Sequence, residues 1–457
     1  MSQSAPRSVW TSHWAFILVT MGSAVGLGNI WRFSYMAGSQ GGSAFVLVYL
    51  ACVLVVGLPL FMAEILIGRR GRGNPVSAML NVAGETGNTS WWGLLGWLGT
   101  LGALVTLSYY AVVAGWIVDY FFKAASGVRV LDAADARAQF EALLASPGQL
   151  ILWFSVFLAM TAGVVARGVV AGIEKANKVM MPALFLILIL LTLWGAVAGD
   201  MRAALEFMFE FKPSALNASV ILAAMGHAFF SLSVGMGALM VYGSYLDRET
   251  RIAHTSLWVA LADTLVGLLA GLAIFSLTFA YGLKPSEGPG LILQTLPLAF
   301  ARMPGGQVFA LLFFALVIFA TWTSAISLLE PFVAWLTERF RIHRPAAAWG
   351  TMGAVWCLGV AVCLSFNLGA SWSFWGLGFF DALDFLCSRI LMPLTGLFIA
   401  LFVGWAMGRG AVADEMRLKG PWFSLWFTIV RFVSPLVILL VFCAQLGFLK
   451  PFGISTH

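Results

Sequence analysis

The sequence predicts an all-α polytopic membrane protein, with eleven transmembrane helices in a 5+5 inverted repeat and helices one and six unwound at the bilayer midplane. Three observations predict it. First, 61% of the 457 residues are hydrophobic and only 10% are charged, with a mean hydropathy of +0.92, whereas soluble domains carry about 25% charged residues. Second, the chain contains apolar stretches that reach the roughly 20 residues needed to cross a bilayer as a helix. They are continuously apolar and do not alternate as barrel strands do. Third, two stretches five helices apart are interrupted midway by glycine and small polar residues, the pattern of transporters built from inverted repeats.

The stretches lie near 12–37, 42–68, 90–123, 149–166, 176–199, 215–245, 255–282, 308–338, 348–366, 374–407 and 422–447. They form one membrane domain over 1–457, with repeats at about 10–200 and 215–407 and an extra helix at 420–449. The first run follows a short polar tail and is already long enough to span, so it reads as a helix and not as a cleavable signal. The longest polar connection, about 124–148, carries Asp132, Asp135, Arg137 and Glu141 and is expected to be an extracellular loop with a short surface helix.

The net charge of +6 does not point to nucleic acid, because the basic residues fall at alternate helix connections. Arg69, Arg70, Arg72, Arg167, Lys175, Lys178, Arg248, Arg251, Arg339, Arg341, Arg344, Arg409, Arg417 and Lys419 lie on one side. The other side has fewer, such as Lys123, Arg129, Arg137, Arg202 and Lys284. By the positive-inside rule the N-terminus is cytoplasmic and, with an odd helix count, the C-terminus is outside. The partners expected are membrane lipid and a small solute.

Helix one contains Gly22-Ser23-Ala24-Val25-Gly26-Leu27-Gly28-Asn29, and helix six contains Ser231-Leu232-Ser233-Val234-Gly235-Met236-Gly237. Small residues also permit close helix packing, but packing does not need Asn29 or Ser231. Unwinding frees main-chain groups that hydrocarbon cannot satisfy. Freed carbonyls suit a hard cation, and a half-helix N-terminus suits a carboxylate.

Other polar residues lie within the spans. Asp263 in helix seven is a buried carboxylate, a functional candidate or a structural partner to a neighbouring helix. Thr323 and Ser324 in helix eight either bond back to the preceding turn or supply two oxygen ligands; spacing leaves both open. Arg32 and Asp384, toward the outer ends of helices one and ten, either pair across an entrance or face the interface. Glu64 is placed to accept from backbone amides at a broken helix, and His227 reads as a pocket-side hydrogen-bonding residue. The five cysteines, Cys52, Cys357, Cys363, Cys387 and Cys443, have no metal-ligand spacing and read as packing residues.

The run Gly22–Phe33 resembles the first-helix signature of the neurotransmitter:sodium symporters. Gly41-Gly42-Ser43-Ala44-Phe45, Gly57-Leu58-Pro59-Leu60-Phe61-Met62-Ala63-Glu64, Tyr109-Tyr110, Phe229-Phe230-Ser231-Leu232-Ser233, Thr323-Ser324-Ala325 and Asp381-Ala382-Leu383-Asp384 continue the likeness from about Arg7 to helix eleven. The eleven-helix length resembles the bacterial branch, which implies a LeuT-like fold in the bacterial inner membrane. The resemblance implies alternating access and two sodium sites. The first would use the Ala24 carbonyl, Asn29, Ser231, Asp263 and the substrate's carboxylate. The second would use carbonyls of Gly22, Val25 and Ala320 with the Thr323 and Ser324 hydroxyls. Many members carry Asn where Asp263 stands; a fixed carboxylate there supplies the negative charge that chloride gives elsewhere, so chloride is not expected. A second departure is Ser34, where the family often has Pro.

For the substrate, the resemblance implies a pocket of Ser23, Ala24, Gly26, Thr106, Tyr110, Phe230, Ser231, Ser233, Gly235, Met236, Ser324 and Leu328. Gly26 stands where amine carriers hold an aspartate, so a carboxylate is expected instead, bonded by Tyr110 and lidded by Phe230. Thr106, Met236 and Leu328 make the side-chain region mostly apolar, which favours a neutral, hydrophobic amino acid. A β-amino acid, an amine, or a receptor that does not transport are the alternatives. The gates implied are Arg32 with Asp384 outside, and Arg7, Trp10, Tyr245 and Glu338 inside. Gly172 and Pro182 resemble a motif that lets helix five unwind. No nucleophile or metal cluster points to an enzyme.

Overall fold

The structure, a computed structural model, describes residues 9–128, 130–283 and 291–448. Among them, nine helices are long and apolar enough to cross a membrane. A tenth span is a pair, His13–Ala24 and Gly28–Ser39, bent by 55°. The predicted stretch at 215–245 is two helices, Ala218–Ser231 and Ala238–Ser244, neither of which is long enough alone. With the bent pair as helix one and the divided pair as helix six, helices two to five are Ser43–Gly71, Ser90–Ala125, Pro147–Ala166 and Val169–Ala198. Helices seven to eleven are Ile252–Ala280, Gly306–Phe340, Arg344–Leu364, Phe379–Ala406 and Pro421–Gln445.

Helix five begins at Val169, not near 176. The charged pair Glu174-Lys175 hides its first turns from an apolar scan. Glu174 is nevertheless buried, because it accepts from Thr11 N at 3.0 Å and pairs with Lys178 at 2.6 Å. The segment starts at Gly168, whose φ of +99° favours glycine, and runs as a π-helical stretch over Val169–Glu174 before Pro182 sits inside the α-helix.

Helix three is the centre of the bundle. Its apolar window is 83% buried, against 33% for helices five and eleven, whose outward leucines and valines therefore meet lipid. It packs on helices four, eight and nine, while the first half of helix one packs on helices five, seven and eight. The two halves of helix six lie along the two halves of helix two. The expected surface helix is Ala133–Ala145, capped by the Asp132 side chain, which accepts from Asp135 N at 2.8 Å. Of the cysteines, Cys363 and Cys387 are buried, Cys52 and Cys443 half-buried, and Cys357 exposed on helix nine; packing accounts for the first four only.

Candidate functional site

Two breaks in the helices meet at the middle of the bundle. In helix one, Val25 leaves the helical region with ψ 103°, and the Asn29 side-chain oxygen accepts from Gly26 N at 3.0 Å. In helix six, Ser233, Gly235 and Gly237 all have positive φ, at 53°, 88° and 72°. Left-handed backbone suits glycine but costs a serine, and a cross-link offsets that cost: Ser233 Oγ donates to Ser23 O at 3.0 Å. Gly235 N donates to Glu64 Oε2 at 2.8 Å, so the carboxylate of helix two meets a freed amide as expected.

Beside the break in helix one, Asn29, Ser231 and Asp263 form a closed cluster. Asn29 Nδ2 donates to Asp263 Oδ1 at 2.7 Å and to Ser231 Oγ at 3.1 Å, and Ser231 Oγ donates to Asp263 Oδ2 at 2.5 Å. Tyr49, which sequence reasoning missed, reaches Ser231 at 3.3 Å and Asp263 at 3.5 Å. Asp263 is fully buried, and among the described residues no basic side chain forms an ion pair with it. A buried carboxylate without a counter-charge is costly, and a cation among these oxygens balances it. Turning the Asn29 amide over presents its oxygen to the same point.

The second cluster joins helix one to helix eight. Ser324 Oγ donates to Gly22 O at 3.3 Å and to Val25 O at 3.2 Å. Thr323 takes the other course: its hydroxyl bonds back to Phe319 O at 3.0 Å and Ala320 O at 3.1 Å. The two adjacent hydroxyls thus divide between the alternatives that their spacing left open. Among the described residues, no group of three His, Cys, Asp or Glu side chains is placed to hold a metal ion. The donors at both clusters are carbonyl, hydroxyl and one carboxylate, which fit a hard cation.

Between the breaks lies a cavity of about 30 Å³ lined by Ala24, Gly26, Leu27, Gly28, Thr106, Tyr110, Phe230, Ser231, Ser233, Met236, Ser324, Ser327 and Leu328. It has room for about two waters, so a larger occupant requires the flexible Met236 and Leu328 to part. Two residues expected in the lining are not there. Ser23 presents its carbonyl to Ser233, and Gly235 is turned toward Glu64 and Met392. Leu27, Gly28 and Ser327 were missed. Tyr110 Oη accepts from Leu27 N at 3.3 Å, which leaves its proton free to donate into the cavity. Gly26 leaves little space beside it, since a Cβ would lie 2.6 Å from Ser324 Oγ and 3.3 Å from Tyr110 Oη. A larger cavity of about 320 Å³ opens among Tyr120, Lys123, Gln139 and Gln307, away from both breaks.

The residues expected at the two gates are arranged differently. Among the described residues no ion pair joins Arg32 to Asp384. Arg32 lies 4.4 Å over the Phe230 ring, and Asp384 accepts from Ser388 at 2.8 Å. At the end of the bundle that carries Trp10, Trp10 Nε1 donates to Tyr242 O at 3.1 Å and its ring stands edge-on to Tyr242 and Tyr245. Tyr245 Oη donates to Glu330 Oε1 at 2.9 Å, and Glu330 in turn pairs with Arg344. Glu338 accepts from Asn74 N at 2.9 Å and Asn74 Nδ2 at 2.8 Å. Arg7 lies outside the described residues. Glu330 gave no signal because it sits in an apolar run; its distance of 14 residues from Arg344 hides the partnership.

His227 is not a hydrogen-bonding residue of the cavity. Neither ring nitrogen has a partner among the described residues, and the ring packs against Phe33, Phe45 and Tyr49 at 5.9, 5.8 and 5.3 Å.

Comparison with known proteins adds three findings. The model of the Sodium:neurotransmitter symporter family matches residues 7–131 and 134–457. An uncharacterized sodium-dependent transporter, YhdH of Bacillus subtilis (strain 168), is 36% identical over 98% of this chain and 100% of its own. A crystal structure of MhsT in complex with L-phenylalanine superposes with a TM-score of 0.88 at 39% identity, covering 96% of this chain and 99% of that one.

Proposed function

Because this chain belongs to the sodium:neurotransmitter symporter family, and is therefore a sodium-dependent membrane transporter and not an enzyme, we propose that it imports a neutral, hydrophobic amino acid together with two sodium ions. The observation that carries this reading is the cavity between the two helix breaks, whose lining combines Tyr110 and the backbone of the break in helix one with the apolar Met236 and Leu328. Polar groups for a carboxylate and apolar groups for a side chain are both present in that lining. The likeness to MhsT, whose structure holds L-phenylalanine, supports the same class of substrate.

The first sodium ion is assigned to Ala24, Asn29, Ser231 and Asp263, adjoining the substrate carboxylate. Ion and carboxylate each lower the cost of burying the other, so each raises the other's affinity, and such coupling is reciprocal. The second is assigned to Gly22, Val25, Ala320, Thr323 and Ser324, where it ties helix one to helix eight. Asp263 is the fixed negative charge that makes chloride unnecessary. Counted as one broken span, helix six brings the bundle to eleven spans, with repeats at about 10–200 and 215–407, an N-terminus on the cytoplasmic side, and a place in a bacterial inner membrane.

Uptake into proteoliposomes tests the reading. Labelled L-phenylalanine or a related neutral amino acid should accumulate saturably under an inward sodium gradient and fail to do so when potassium replaces sodium. Equal uptake without sodium, or no uptake of any neutral amino acid, overturns it.

A further inference from the structure

Asn177, three residues into the α-helical part of helix five, is 1% exposed and lies against Gly22 of helix one. Its Nδ2 is already occupied, donating to Ile173 O at 2.9 Å one turn back. That bond fixes the amide plane and turns Oδ1 outward, toward helix one. There a Cβ built on Gly22 would lie 2.0 Å from Asn177 Oδ1 and 3.0 Å from Thr323 Cβ. Asn177, Gly22 and Thr323 therefore converge on one point, and glycine at 22 is what leaves space for the amide oxygen. Among the described residues Oδ1 has no hydrogen-bond partner, although a buried acceptor is normally satisfied. The neighbouring ammonium of Lys178 does not serve it, being engaged by Glu174 at 2.6 Å and Thr11 at 3.0 Å.

From this convergence we infer that Asn177 is a further ligand of the second cation site, its amide oxygen contributed by helix five beside the carbonyl of Gly22. The inference rests on the assignment of that site to sodium. An amide oxygen is the same donor type as the main-chain carbonyls around it, and suits a hard monovalent cation. With this ligand the site joins three helices, so the start of helix five is coupled to the bound ion.

The test compares sodium- and lithium-dependent thermal stabilisation of the purified full chain at saturating L-phenylalanine. Asn177→Leu keeps the volume and removes the oxygen. It should raise the half-stabilising sodium concentration roughly three- to tenfold, the loss expected of one polar contact, and change the lithium-to-sodium ratio. Asn177→Asp should lower that concentration, because a carboxylate replaces the amide. A lower baseline melting temperature with the sodium curve and the ion ratio unchanged assigns Asn177 to packing and overturns the inference. If Asn177→Leu does not fold, an unchanged sodium curve for Asn177→Asp overturns it equally. Ser324→Ala, measured in parallel, separates the levels. A shift there with none at position 177 removes only the new ligand. No shift at either position removes the second site as well.

Discussion

On the proposed reading, the ions this protein uses are decided by single side chains. Asp263 is buried, and among the described residues its carboxylate bonds to Asn29, Ser231 and Tyr49, none of which carries a positive charge to neutralise it. Asp263→Asn removes the charge and keeps the shape. Uptake by the variant should fall at least tenfold in chloride-free buffer and recover in part when chloride is added, measured at fixed sodium; undiminished uptake by the variant without chloride contradicts the role. Ser324 is the hydroxyl that crosses to helix one, whereas Thr323 turns back into its own helix. Ser324→Ala should therefore weaken sodium dependence more than Thr323→Val, and equal sodium curves for the two variants count against the assignment. Gly26 leaves little room for a side chain between Ser324 and Tyr110; Gly26→Ala should abolish substrate binding while leaving the protein folded, as read by ligand-induced thermal shift.

At the scale of elements, the breaks persist because something else holds them. An unpaired buried amide costs about 1–3 kcal/mol, and Glu64 removes that cost for Gly235 from the neighbouring helix two. Glu64→Leu should lower the melting temperature and reduce substrate binding, since the turn at Gly235 loses its acceptor. Gly235→Ala adds a Cβ at φ +88° and 2.9 Å from Met392 O, a strain of about 1–3 kcal/mol. Chemical denaturation of both variants measures the effect, and unchanged stability in both shows that the break needs neither residue. Helix five is the complementary case: its π-helical start after Gly168 and its internal Pro182 weaken the regular ladder where it adjoins the second cluster.

Across the whole molecule, the two ends are fastened unequally. The inner end is tied by Trp10 to Tyr242 and by Tyr245 through Glu330 to Arg344, linking the N-terminal segment, helix six, helix eight and helix nine. At the outer end Arg32 and Asp384 stand unpaired with each other. A cycle between two such arrangements requires each end to be breakable. Glu330 is fully buried and joins Tyr245 to Arg344, so Glu330→Ala removes both of those contacts and leaves Arg344 with its bond to Val165 O. Its expected effect is faster modification of a cysteine placed at Ser244 by a reagent from the inner face, together with lower sodium-driven uptake. Unchanged labelling removes Glu330 from the inner gate.

Apolar length and interrupted glycine runs are local properties, so the sequence alone determined the membrane class, nine of the ten candidate spans to within a few residues, and where helices one and six are interrupted. Most of the cavity lining was legible only through the family resemblance, since Thr106, Tyr110 and Leu328 carry no periodic signal of their own. Tertiary structure decided what depends on which groups face one another: Glu330 with Arg344, Asn177 against Gly22, His227 among aromatic rings, and the Ser23 carbonyl with Ser233. In an apolar bundle every helix is hydrophobic all round, so a side chain's direction leaves no pattern in the sequence. Partners far apart along the chain are chosen by packing and by the need to satisfy each buried polar group.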